Sequence, residues 1–151
     1  GLRESLANGK VKKFISDFPT PGLLGIENVI LMPHLGASTS EAEENCAFMV
    51  ASQITEFLQN GNIKNSVNFP EVNLERTPGS FRLAVVNRNV PKILGSVLSA
   101  LADKNINVLD MLNKSKDEIA YNLIDIDTKV SDQLLAEISR IEGVVNTRGF
   151  H

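Results

Sequence analysis

Between residues 80 and 151 the hydrophobic period switches in the order strand, helix, strand, strand, helix, strand, and that order leaves few folds open. Phe81, Leu83 and Val85 alternate with Arg82, Ala84 and Val86, which predicts a strand. Ile93, Leu94, Val97, Leu98 and Leu101 form a helical stripe, with Pro91 near its first turn and Asn105 past its end. Ile106 to Leu112 reads as a second strand, Asn113 to Glu118 as a polar turn, and Ile119 to Asp127 as a third strand carrying Tyr121, Leu123, Ile124 and Ile126. Leu134, Leu135, Ile138 and Ile141 predict a second helix stopped by Gly143, and Val144 to Phe150 the last strand. A β-α-β-β-α-β order completed in so few residues is the ferredoxin-like arrangement, two β-α-β halves without a tandem sequence repeat.

The chain divides into three stretches. Residues 1–60 have an α/β pattern. Leu2 to Asn8 reads as a helix ending at Gly9, and Lys13 to Ser16 as a short strand. Val29-Ile30-Leu31-Met32 is a continuous apolar run, the mark of a strand buried on both faces in a parallel sheet. A turn follows at Pro33 to Thr39. A helix then begins, with Ser40 and Glu43, or Ser38 and Glu41, as its capping box. Its apolar face is Ala42, Cys46, Val50, Ile54 and Phe57/Leu58, and Cys46 reads as core packing. Residues 61–79, rich in Asn, Pro and Gly, read as a linker with Val67-Asn68-Phe69-Pro70 as its apolar anchor. Residues 80–151 are the second domain.

Composition narrows the function classes. A net charge of -3 offers no electrostatic grip on nucleic acid or anionic lipid. One cysteine makes no internal disulfide, and no Cys/His cluster has metal-site spacing, so no metal is expected. No apolar run approaches the roughly 18 residues of a membrane span. These point to a cytoplasmic protein. The chain opens Gly1-Leu2-Arg3-Glu4-Ser5 without methionine, which reads as a piece of something longer.

His34 is the foremost chemical candidate in the first stretch. It lies where an apolar strand ends and a small-residue turn begins, the place where open α/β sheets bind ligands. A histidine there is open to two readings: a structural group at the strand end, or a proton donor and acceptor working near neutral pH. Gly36, Ala37, Ser38 and Thr39 are small enough to admit a flat ring or a phosphate, and the helix start supplies N–H donors. The string Pro33-His34-Leu35-Gly36-Ala37-Ser38-Thr39, then Glu41-Ala42-Glu43-Glu44-Asn45, resembles the catalytic-histidine segment of the NAD-dependent D-2-hydroxyacid dehydrogenases, most of all their phosphoglycerate dehydrogenase branch. Gly9-Lys10-Val11 through Ser16-Asp17-Phe18-Pro19 resembles the segment before it, and Asn65-Ser66-Val67-Asn68-Phe69-Pro70 the exit toward a regulatory domain. The resemblance implies a Rossmann-type catalytic region ending in residues 1–60. It makes His34 the general acid and base, with Asp17, His34, Gly36 and Ala37 near the NAD nicotinamide, and 3-phosphoglycerate the substrate. It also implies a glutamate partner for the histidine shortly after Asp17, where this chain has Pro21-Gly22. Glu27, a group outside this chain or a modified dyad are the alternatives. The glycine-rich phosphate turn and the substrate-binding arginine are absent, so this chain alone is expected to be inactive.

In the second domain, Asn87-Arg88-Asn89-Val90-Pro91-Lys92 leads from the first strand into the first helix. Asn89 there, and Asn107 at the start of the next strand, read either as a helix cap and a turn residue or as amides suited to an amino acid's carboxylate and ammonium. This domain resembles the ACT domain. By that resemblance Asn87, Asn89 and Asn107 fall on effector positions, L-serine is the candidate effector, and Lys92 stands where a loop glycine is frequent. Open sheet edges favour a homo-oligomer, a two-fold dimer first of all. Two further readings stay open: an amino-acid-binding and dimerisation module without catalysis, and a different D-2-hydroxyacid dehydrogenase.

Overall fold

The computed structural model describes residues 1–150, a mixed α/β chain with two compact units whose boundary falls between Met49 and Val50. In the first unit α1 (Leu2–Ala7) ends at Asn8, and Gly9 turns the chain at a φ of +74°. β1 (Phe14–Ser16) and β2 (Val29–Leu31) then pair in parallel, Phe14 opposite Val29 and Ser16 opposite Leu31, with a 3-10 turn at Pro21–Leu23 between them. The expected burial of the Val29 to Met32 run on both faces is not found: Ile30 is 49% exposed and Met32 48%. Two strands are too small a sheet to close over both faces.

α2 (Ser40–Asn60) contains the boundary. Its cap differs from both expected boxes. The Thr39 hydroxyl accepts from the Ala42 N–H at 3.1 Å, one residue ahead of Ser40. None of its residues is buried, and Phe48, Met49 and Ile54 are exposed. Cys46 is exposed as well, contrary to the core role expected for it. The helix closes where Gly61 N–H meets Phe57 O, with Gly61 at a φ of +74°. No described helix is long and apolar enough to cross a membrane.

The second unit holds β3 (Phe81–Arg88), α3 (Ile93–Ala102), β4 (Val108–Lys116), β5 (Ile119–Ile126), α4 (Asp132–Ser139) and β6 (Val144–Phe150). The four strands make one antiparallel sheet in the order β4-β5-β3-β6. β4 runs on to Lys116, through residues expected to turn, because Lys114, Ser115 and Lys116 find partners in Tyr121, Ala120 and Ile119. The turn shrinks to Asp117-Glu118, with Asp117 left-handed at a φ of +53°.

Each sheet face has its own core. Leu83, Val85, Ile124 and Ile126 pack with Val97 and Leu101 of α3 and Leu134 and Ile138 of α4. Full burial of each such side chain stabilises by roughly 1.5–3 kcal/mol relative to exposure. Gly143 lets the chain pass α3: a Cβ there would sit 2.3 Å from Ile93 Cδ1. The second face, Ala84, Tyr121, Leu123 and Phe150, is covered by Ile63 and Val72, with Phe69 and Leu74 packed against them. These four covering residues lie in the stretch that reads as a linker. It is a strap, closed on itself by an antiparallel bridge between Ile63 and Val72. Of its expected anchor, Phe69 packs while Val67 is 90% exposed.

Candidate functional site

The parallel pairing of β1 and β2 decides what His34 meets. Ser16 and Leu31 are register partners, so the residues that follow both strands emerge side by side. The Ser16 hydroxyl caps the turn after β1 by accepting from Phe18 N–H at 3.1 Å. Asp17 leaves that turn, and its Oδ2 lies 2.6 Å from His34 Nδ1. A carboxylate only accepts, so Nδ1 carries the hydrogen and Nε2 is the ring nitrogen left for another partner. The Phe18 ring lies against the imidazole, centroids 4.5 Å apart and planes 33° apart. The hydrogen bond from His34, with a smaller contribution from its charge, holds the Asp17 carboxyl below its ordinary range. The His34 side chain remains 58% exposed.

Within this chain the carboxylate at His34 is that of Asp17. Glu27 precedes β2 and so lies at the opposite end of the strand from His34. Gly36 and Ala37 are exposed in the turn that follows His34, and a Cβ on Gly36 would meet nothing within 4 Å. The arrangement is an oriented imidazole with one nitrogen available, at the carboxyl end of a parallel strand pair.

The three asparagines of the second unit have separate surroundings. Asn87 is buried: its Nδ2 donates to Arg88 O at 2.6 Å and its Oδ1 accepts from Asn122 Nδ2 at 2.7 Å. Asn89 is exposed and ties the loop to the β4–β5 turn, its Nδ2 on Asp117 O at 3.1 Å. Asn107 is at the other end of β4, its N–H on Asp127 Oδ1 at 3.1 Å. Since Arg88 pairs with Ile119 while Val108 pairs with Ile126, Asn89 and Asn107 are a full strand apart, about 25 Å at 3.3 Å per residue. One copy does not bring them together.

Two polar groups escaped the sequence reading. Asn122 sits in the middle of an apolar strand, 1% exposed, and accepts from Asn113 Nδ2 while donating to Val85 O and Asn87. Arg82 and Asp125 form a bidentate pair on the second face, Nε to Oδ1 at 2.6 Å and Nη2 to Oδ2 at 2.9 Å, with neither side chain exposed. Tyr121 is no proton acceptor: burial pushes its phenol up to about 12, and its hydroxyl donates to Gly61 O at 2.8 Å.

Residues 81–143 match the family model described as the ACT domain. Beyond it, the chain is similar to proteins named D-3-phosphoglycerate dehydrogenase over most of its own length. It is 36% identical over 132 residues to D-3-phosphoglycerate dehydrogenase of Haemophilus influenzae, covering 87% of this chain and 32% of that one. It is 33% identical over 135 residues to that of Escherichia coli, 88% of this chain and 33% of the other. A putative D-3-phosphoglycerate dehydrogenase of Schizosaccharomyces pombe is 35% identical over 154 residues, 96% of this chain and 32% of that one. The chain thus spans about a third of the length of these relatives. Among solved structures, the ACT domain from GTP pyrophosphokinase of Chlorobium tepidum aligns with 49% of this chain and 100% of its own at a TM-score of 0.42 and 16% identity.

Proposed function

We propose that this chain is the C-terminal part of a cytoplasmic, NAD-linked D-3-phosphoglycerate dehydrogenase that opens L-serine biosynthesis. Residues 1–60 end its Rossmann-type catalytic region, 61–79 join, and 80–151 form its ACT regulatory domain. The carrying observation is the 2.6 Å bond from His34 Nδ1 to Asp17 Oδ2, which aims the reactive nitrogen away from its partner. His34 Nε2 takes the proton of the C2 hydroxyl during oxidation and returns it during reduction, while Asp17 holds the ring. NAD, when bound, supplies the acceptor for the hydride. The open side of Gly36 and the exposed Ala37 fit a flat ring beside His34. The sequence has no glycine-rich turn for the pyrophosphate, which the longer enzyme must provide. The test is NAD-linked oxidation of 3-phosphoglycerate, assayed on the full-length enzyme and on this chain. Turnover is expected from the first and none from the second. Activity in this chain alone, or none in the full-length enzyme, overturns the reading.

The ACT domain is read as a sensor whose site spans two copies. β4 is an edge strand. Antiparallel pairing of two such edges about a two-fold axis puts one protomer's Asn107 beside the Lys116–Asp117 end of its partner, where Asn89 is anchored. Asn87, its amide already occupied, supports that loop from beneath. L-serine, with an ammonium, a carboxylate and a hydroxyl, suits two facing amides. Titration calorimetry should give heat at millimolar L-serine with the dimer intact; an intact dimer without heat counts against the sensor.

A further inference from the structure

The second face of the sheet carries a buried charged pair among apolar neighbours, and three backbone groups from outside the sheet are bonded to it. Arg82 and Asp125 are direct register partners on β3 and β5. Arg82 Nη1 donates to Asn60 O at 3.0 Å and to Leu74 O at 2.9 Å, and Asp125 Oδ2 accepts from Thr77 N–H at 2.9 Å. Asn60 is the last residue of α2; Leu74 and Thr77 belong to the strap. We propose that the pair is a latch, fastening the end of α2 and the 61–77 strap to the sheet, and that opening it releases the strap while the sheet stays folded.

Two observations separate the latch from simple core support. β3 and β5 are already joined along the whole length from Phe81↔Ile126 to Arg88↔Ile119, and both are buried against α3 and α4 on the other face. An ion pair adds little to such a sheet, because well-packed apolar residues of similar volume hold a buried site as well or better. What apolar residues cannot do is make directed hydrogen bonds to three chosen backbone groups, donating to two carbonyls and accepting from one N–H. The strap, in contrast, has one backbone bridge of its own, Ile63 with Val72. Tyr121 on Gly61 O, Lys116 on Val67 O and Arg76 on Phe150 O supplement the latch from the flanks. Asn62 ties the strap to α2 by donating to Glu56 and accepting from Leu74 N–H, so strap and helix end are released together. Closed, the latch gives the ACT sheet a grip on the last turn of α2.

The test is amide hydrogen exchange in the full chain, comparing the wild type with the double variant Arg82→Met/Asp125→Leu, which keeps the volume apolar and leaves no orphan charge. The amides of Ile63 and Val72 should exchange about 10²-fold faster in the variant, while those of Val85 and Leu123 change by less than about threefold. Unchanged protection at Ile63 and Val72 overturns the latch, since apolar packing alone would then hold the strap. Equal loss in strap and strands, or a variant that does not fold, overturns it too by making the pair a support of the sheet.

Discussion

Replacing Asp125 by alanine lowers the unfolding free energy by about 3–5 kcal/mol. The substitution leaves the Arg82 guanidinium fully buried with its charge uncompensated, and orphans the Thr77 N–H. Domains of this kind have about 5–15 kcal/mol in total, so the variant sits near the edge of folding at room temperature. Urea titration reads the loss as a lower midpoint at an unchanged slope. A loss below about 1 kcal/mol, the range of exposed pairs, would mean that water reaches the guanidinium. The same pair sets an acid limit. Burial pushes the Asp125 carboxyl up, but the Arg82 hydrogen bonds, the Thr77 N–H and the Arg82 charge outweigh it, and the net position is below the ordinary carboxylate range. A carboxyl depressed on folding stabilises at every pH above its unfolded value of about 3.9 and loses that contribution as pH falls through its folded value. The wild type should therefore weaken below about pH 4, and the alanine variant should lack this part of the acid slope. Asp17 and Glu137, held low by His34 and Lys104, keep a residual slope in both.

This pair also shows where the sequence stopped being readable. Arg82 shares its strand face with Ala84 and Val86, a pattern that predicts no ion pair, and its partner is 43 residues away. Alternation reports which residues share a face, not whether a second layer covers that face. The covering layer here is the strap, whose Asn, Pro and Gly content gives no periodic signal, so Val72, at 0% exposure, was invisible. The helix-side core was legible because α3, α4 and the four strands repeat their apolar residues at their own periods. Local chemistry decided smaller matters: Thr39 and Ser40 are both good caps, and only geometry selects Thr39. At the catalytic candidate, position and small neighbours pointed to His34. Its partner Asp17 is 17 residues away and became visible as a partner only once β1 and β2 were seen to run parallel in register.

In the full-length enzyme proposed above, His34→Ala should slow oxidation of 3-phosphoglycerate by about 10²–10⁴-fold, the usual contribution of a positioned general base. The loss should fall on kcat and kcat/KM together, because the proton moves in the transition state and not on binding. The thermal midpoint of the same full-length variant separates chemistry from stability: a midpoint that holds assigns the loss to the imidazole. Asp17→Asn is the informative companion. An asparagine amide can donate to Nδ1 as readily as its carbonyl can accept, so the tautomer that leaves Nε2 unprotonated is no longer enforced. It should lower kcat less than His34→Ala, and the double variant should be no worse than His34→Ala alone, since a residue acting only through the imidazole has nothing to hold once the imidazole is gone. Additive losses would give Asp17 a separate contact with cofactor or substrate. Full turnover after His34→Ala would remove the imidazole from the chemistry and leave the ACT sensor as the function this chain carries.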